Sequence, residues 1–265
     1  MAITAAMVKK LRDKTGAGMM DCKKALTKAD GDFETAYDEL RKSGIAKAEK
    51  KAGRSTKEGK VFVAVKDGSA AAIEVLCETD FVSKNEKFSN FAQEIADRVV
   101  DYDADGCVSE KAQEVEKANM TSMIATIGEN MQLRRAAKWQ TSGKVGTYLH
   151  MGGRIGVMVE VEGEIAEDVL ADLCMHIAAF NPSFVAPEDI PADVIAKEKE
   201  IATAQLAGKP ENIIEKILVG KLNKWYTEVC VNKQPWLKDD KSCFEKVAPN
   251  AKIKRFIRWQ VGEEL

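Results

Sequence analysis

Asp80 and Phe81 stand side by side in Thr79-Asp80-Phe81-Val82-Ser83-Lys84-Asn85, between an apolar run ending at Cys77 and an amphipathic segment that carries Phe88. The run reads as a strand and the segment as a helix. A carboxylate at such a junction caps the helix or meets a partner's charge, and a bulky ring packs onto the core or is offered to something else. Two readings stay open. Phe81 folds back onto the core with Asp80 as the helix cap, or the loop faces solvent and offers the ring, with Asp80, to a partner.

Bond-making chemistry has little to stand on. The chain has two histidines, His150 and His176. No Ser sits in a G-x-S-x-G turn. Residues 143–156 are glycine-rich but hold neither a dinucleotide fingerprint nor a P-loop, so no direct nucleotide binding and no cofactor are expected. Cys174-Met175-His176 lacks a second ligand pair, and no metal is expected there. Asp101, Asp103 and Asp105 have the spacing of a calcium loop without its Gly and distal Glu. The six cysteines form no C-x-x-C pair and lie mostly in apolar elements, which reads as free thiols in a reducing cytoplasm. His150 reads either as a polar strand end bonded to backbone or as a contact residue. Met19 and Met20 cannot both face inward on one helix, so at least one is expected at the surface, where thioethers suit binding.

Several elements must position these residues. Residues 4–43 read as three short helices: Thr4 caps the first, the second carries Met20, Ala25 and Leu26, and Phe33, Ala36, Tyr37 and Leu40 form the stripe of the third. Gly44 fits a C-terminal cap. A bundle over 1–44 then leads into a charged linker over 45–59, which begins as a continuing helix or as coil. A hairpin turning at Asp67-Gly68, helices over the segment from Phe88 and over 109–127, and a strand over 131–139 fill a first core subdomain, 60–140. The same order recurs in a second, 141–180 and 226–265: a hairpin around Gly152-Gly153, a helix over 167–180 and a closing strand over 253–261. The recurrence is of elements, not of residues. Residues 181–225 read as an inserted helical hairpin, with Pro191 and Pro210 opening its two helices around Ala207-Gly208-Lys209. The fold class is therefore α+β, with small antiparallel sheets.

Composition narrows the partners. Of 265 residues, 31% are charged and 45% hydrophobic, and the net charge of -2 gives no overall pull toward nucleic acid or anionic membrane. No apolar run approaches the roughly 20 residues that span a bilayer. The start, Met1-Ala2-Ile3-Thr4, lacks the basic and apolar regions of a signal peptide. The first sixty residues carry fifteen Lys and Arg against nine Asp and Glu. The charged linker over 45–59 has no interleaved aromatics for base stacking, so a solvated linker is the reading and nucleic acid is disfavoured. A rival reading, a scaffold or RNA adaptor without catalytic effect, would leave the Phe81 loop idle.

The stretch Leu11-Arg12-Asp13-Lys14-Thr15-Gly16-Ala17-Gly18-Met19-Met20-Asp21-Cys22-Lys23-Lys24-Ala25-Leu26 closely resembles the opening signature of the elongation factor Ts family. Thr79 to Asn85 resembles its central signature, and Tyr148-Leu149-His150-Met151-Gly152-Gly153-Arg154-Ile155-Gly156 fits as well. The resemblance implies a ubiquitin-associated-like bundle, two similar core subdomains with a protruding helical hairpin, and guanine-nucleotide exchange on the GTPase elongation factor Tu in the cytoplasm. It implies that Thr79, Asp80, Phe81 and Val82 wedge into the G domain and disturb its Mg²⁺. It further implies that Arg12, Met19 and Met20 contact the G domain, and that His150, Met151, Gly152 and Gly153 contact the third domain. Many relatives continue into a C-terminal helix that touches the G domain. This sequence stops at Leu265 soon after the closing strand, so that contact is expected to be missing.

Overall fold

A computed structural model describes residues 2–206 and 211–264, which fall into two compact units. One holds the described residues of 1–64, 71–139 and 261–265, the other those of 65–70 and 140–260.

The first unit opens with three helices. Thr4 caps α1 (Ala5–Thr15), its hydroxyl accepting from the Met7 N–H at 3.3 Å. Next come α2 (Met19–Lys28) and α3 (Phe33–Lys51), the latter capped by Asp32, whose carboxylate accepts from the Thr35 N–H at 2.7 Å. Val8, Leu11, Cys22, Ala25, Leu26 and Ala36 give these helices a small core of their own. There follow β1 (Glu58–Lys66), β2 (Ser69–Cys77), the single turn α4 (Asp80–Ser83), α5 (Glu86–Val99), β3 (Gly106–Cys107), α6 (Ser109–Ile127) and β4 (Met131–Gln140). The sheet order is β1-β2-β4-β3. Phe88, Phe91, Ile95 and Val99 of α5 are buried with Phe62, Ile73 and Val75 of the sheet, so the helix lays its apolar stripe on one sheet face.

Gly44 does not end α3, contrary to its reading as a cap. The helix runs on to Lys51, and Gly44 is buried inside it. A Cβ at Gly44 would stand 3.4 Å from the Ala125 Cβ of α6, in ordinary van der Waals contact, so a methyl fits between these helices and a larger side chain does not.

The second unit contains β5 (Lys144–His150), β6 (Ile155–Gly163), α7 (Glu167–Phe180), α8 (Ala192–Ala204), α9 (Glu211–Val229), α10 (Phe244–Val247) and β7 (Ala251–Gln260). Its sheet is antiparallel in the order β5-β6-β7. Leu170, Leu173, Cys174 and Ile177 of α7 close the core over Val157, Val159 and Val161 of β6. Helices α8 and α9 pack on each other, and Lys221 donates to the Gln205 amide oxygen. The turn expected at Ala207-Gly208-Lys209 and the start expected at Pro210 lie outside the described residues.

The two units repeat at the level of residues, which corrects the expectation that only elements recur. Gly59-Lys60-Val61 opens one hairpin and Gly143-Lys144-Val145 the other. A Cβ at Gly59 would fall 2.2 Å from the Val75 carbonyl oxygen, and one at Gly143 would fall 2.5 Å from that of Val161. Each of these valines follows a fully buried glutamate, Glu74 or Glu160. Glu74 Oε2 accepts from Arg135 Nε at 2.5 Å and Glu160 Oε2 from Arg255 Nε at 2.6 Å. Both closing strands then end in a basic residue followed by Trp-Gln: Lys138-Trp139-Gln140 and Arg258-Trp259-Gln260.

Residues 261–264 complete the first unit. Gly262 donates its N–H to Glu74 Oε1 at 2.9 Å, Glu263 Oε1 accepts from Arg135 Nη2 at 2.7 Å, and Arg134 donates to the Glu263 carbonyl. Three donors thus converge on the buried Glu74 carboxylate: Arg134, Arg135 and the Gly262 amide.

Candidate functional site

The strand-to-helix junction after Cys77 is too short for a regular helix to hold itself. A single turn has little intrinsic stability, so α4 depends on what grips its ends. The cap is Thr79, not Asp80: the Thr79 hydroxyl accepts from the Val82 N–H at 3.4 Å, and Asp80 is the first helical residue. Asn85 separately caps α5 through the Lys87 N–H at 2.8 Å. Within the turn, Val82 is turned into the core at 9% exposure while Phe81 points away at 82%. The reading of Phe81 as a core residue is thereby excluded.

The neighbours of Phe81 are tied from below. Glu129 Oε1 accepts from the Thr79 hydroxyl at 2.6 Å and its Oε2 from the Thr79 N–H at 3.0 Å. Asn130 donates its N–H to Glu78 Oε1 at 2.6 Å, and its Nδ2 to the carbonyls of Arg54 at 2.8 Å and Ala52 at 3.4 Å. The Cys77 thiol donates to the Thr79 carbonyl at 3.2 Å. Burial is the main reason that thiol is pushed up to about 12. No local pattern in the sequence marks Glu78, Glu129 or Asn130, because the bonds between Thr79 and Glu129 and between Glu78 and Asn130 span some fifty positions.

Asp80 reaches outward and bonds Lys84 Nζ at 2.6 Å, one helical turn on. That bond is the main cause holding its carboxyl below the ordinary carboxylate range, so it is ionised at neutral pH. The pair is exposed on both sides, and an exposed ion pair is easily exchanged for another partner.

The other expected contact residues lie at the surface in their own elements. Met19 and Met20, which open α2, are both exposed, as is Arg12 on α1. Met20 therefore leaves the apolar face assigned to it, and Cys22, Ala25 and Leu26 supply that face. His150 ends β5 with its Nδ1 3.1 Å from the Tyr148 hydroxyl, a side-chain partner rather than a backbone one. Met151, Gly152 and Gly153 form the turn to β6 at φ 50, 67 and 97°, a left-handed run that glycines tolerate best. Met151 is exposed at its tip and Gly153 is buried beneath. The Cys174 thiol is buried, and the His176 imidazole is stacked on Phe180 and Trp236.

A family model described as elongation factor TS matches residues 78–263, from the residue before Thr79 to the tail that reaches Glu74. An elongation factor Ts from Thioalkalivibrio sulfidiphilus is 46% identical over 99% of this chain and 93% of its own. Another from Trichlorobacter lovleyi is 45% identical over 100% and 94%, and one from Clostridium botulinum (strain Alaska E43) 44% over 98% and 93%. The chain belongs to the elongation factor Ts family.

Elongation factor Ts is a translation elongation factor, so the chain takes part in protein biosynthesis. The part of the chain matched by the family model takes in the whole Phe81 loop and the Glu129-Asn130 grip beneath it. The helical bundle lies before the matched region but within the full-length relatives. No described helix is long and apolar enough to cross a membrane.

Proposed function

We propose that this protein is the guanine-nucleotide exchange factor of elongation factor Tu, acting in the cytoplasm on the GDP-bound GTPase without making or breaking a covalent bond. The observation that carries the reading is Phe81, 82% exposed on a turn whose flanking residues are hydrogen-bonded in place. Burying a Phe side chain contributes about 1.5–3 kcal/mol. Each tenfold weakening of GDP needs about 1.4 kcal/mol of preferential binding to the nucleotide-free GTPase. One ring entering a crevice that opens only when GDP and Mg²⁺ loosen therefore supplies roughly a ten- to hundredfold effect.

The remaining assignments follow the family resemblance. Asp80, ionised and paired with the exposed Lys84, exchanges that partner for polar groups around the GTPase's Mg²⁺. The resemblance puts Thr79 and Val82 in the wedge as well, and in the free protein one caps the turn and the other anchors it in the core. Arg12, Met19 and Met20 add affinity through the G domain. The turn His150-Met151-Gly152-Gly153 meets the third domain. The test is release of fluorescent GDP from preloaded elongation factor Tu under excess unlabelled nucleotide. Faster release with the protein present is expected. Release at the spontaneous rate, with the protein folded and in excess, overturns the reading.

A further inference from the structure

We propose that Glu129 and Asn130 are positioning residues of the exchange loop: they set the direction in which Phe81 is presented and never touch the GTPase themselves. The proposal rests on the Phe81 reading above and adds the device that aims the ring.

Phe81 is 82% exposed, so its direction is inherited from the backbone of α4. That backbone is fixed at its start by a continuous chain of bonds. Glu129 accepts from the Thr79 hydroxyl, and the same hydroxyl accepts from the Val82 N–H. The second carboxylate oxygen takes the Thr79 N–H. With both donors of one residue on one carboxylate, Thr79 has a single side-chain rotamer and a fixed peptide plane. Val82 anchors the far side of the turn in the core. Asn130 repeats the grip one residue earlier. It is buried, holds Glu78 through its backbone, and spends its side-chain amide on the carbonyls of Ala52 and Arg54 just past α3. The loop is thus secured to the end of the bundle's last helix as well as to its own sheet. Neither Glu129 nor Asn130 belongs to the exposed ring, so their effect is transmitted only through Glu78 and Thr79.

The test uses the full chain with GDP-loaded elongation factor Tu. Glu129→Ala should lower the maximal GDP release rate at saturating factor about tenfold, since small misplacements of a docking group cost factors of this size. Amide hydrogen exchange over residues 80–85 should quicken, with the thermal midpoint of the whole protein nearly unchanged. Glu129→Gln, whose amide carbonyl replaces one acceptor of two, should fall between. Thr79→Val combined with Glu129→Ala should be no slower than the slower single variant, because both cut the same chain of bonds. Should Glu129→Ala fail to fold, Glu129→Gln and Thr79→Val carry the same comparison. Phe81→Ala separates the two ideas. If it is slow while Glu129→Ala releases GDP at the wild-type maximal rate, the positioning proposal alone is overturned. If Phe81→Ala is itself as fast as wild type, the Phe81 reading fails and the proposal with it.

Discussion

Phe81 and Val82 are chain neighbours that face opposite ways, one 82% exposed and the other 9%. Their substitutions should therefore separate function from stability. Phe81→Ala should leave the denaturation midpoint nearly unmoved and slow GDP release about ten- to hundredfold, by the burial arithmetic of one Phe. Val82→Ala should lose about 1–3 kcal/mol of stability, as core truncations do. A Phe81→Ala protein that unfolds much earlier and exchanges GDP normally would reverse the assignment.

Gly44 gives a prediction with a change of sign. In the interior of α3, Ala is better than Gly by about 0.5–1 kcal/mol, and its methyl would just touch Ala125 at 3.4 Å. Gly44→Ala should therefore hold or raise stability. Gly44→Leu must push α3 off α6 and should lose about 1–3 kcal/mol. Urea midpoints of the two variants check this; equal effects would mean that the two helices are not in close contact at this point.

Acid should weaken the fold in two stages. His176 is stacked between Phe180 and Trp236 with ring centroids at 4.7 and 5.2 Å, and its Nε2 lies 3.0 Å from Gln234 Oε1. Its Nδ1 is buried with no partner among the described residues. Burial pushes its pKa below 6.5, against the opposing pull of Gln234. The unfolded chain then binds the proton first as pH falls, so this contribution is complete above about 6.5 and shrinks below it until the folded imidazole titrates too. For Glu116 and Glu160 burial pulls upward, but hydrogen bonds outweigh it and hold both below 4.5. The donors are Arg98 and Asn119 for Glu116, and Thr141, Arg255 and Lys254 for Glu160. Their contribution is present above 4.5 and lost as pH drops through the lowered values. Denaturation midpoints from about pH 8 to 2 should show both steps, and His176→Phe should remove only the upper one. An unchanged slope near pH 6 in that variant would count against the assignment.

Among the thiols, Cys107 should react first. It is exposed, its Sγ lies 3.3 Å from the Ser109 hydroxyl, and that hydrogen bond lowers its pKa from 9.0. Burial pushes Cys77 and Cys174 up to about 12 and Cys230 to about 11. Because the thiolate is the nucleophile, a disulfide reagent at mildly alkaline pH should give a fast phase that Cys107→Ser abolishes. Denaturant should release all six cysteines. A fast phase that survives Cys107→Ser would place the reactive thiol elsewhere.

Much of this architecture is legible in the residues themselves. The helices over 109–127 and 167–180 match α6 and α7 because each stops at a residue that accepts left-handed backbone, Gly128 at φ 92° and Asn181 at φ 47°. Gly44 misleads because one residue type serves two purposes, ending a helix or leaving room where two helices pack. The two-residue strand β3 is too short to leave any periodicity. The recurrence of Glu74 in Glu160 and of Arg135 in Arg255 hides behind diverged neighbours until the bonds pair them. At the candidate site, the acid and the ring were readable as a binding pair, but their direction was not. Neither alternation nor a helical period extends through a four-residue turn. The grip of Glu129 on Thr79 is a contact of high sequence separation, which no local pattern encodes.

The closure of Glu74 by the tail has a consequence for synthesis. Arg135 leaves the ribosome 128 residues before Glu263. At about 5–20 residues per second, that delay lasts roughly 6–25 s. Until it ends, the Glu74 carboxylate has its arginines without the Gly262 amide, and Arg135 lacks its second carboxylate. The first sheet thus waits for residues made more than a hundred positions later. A nascent chain stalled at residue 255 should be digested by protease in the first sheet faster than one stalled after residue 263 has emerged.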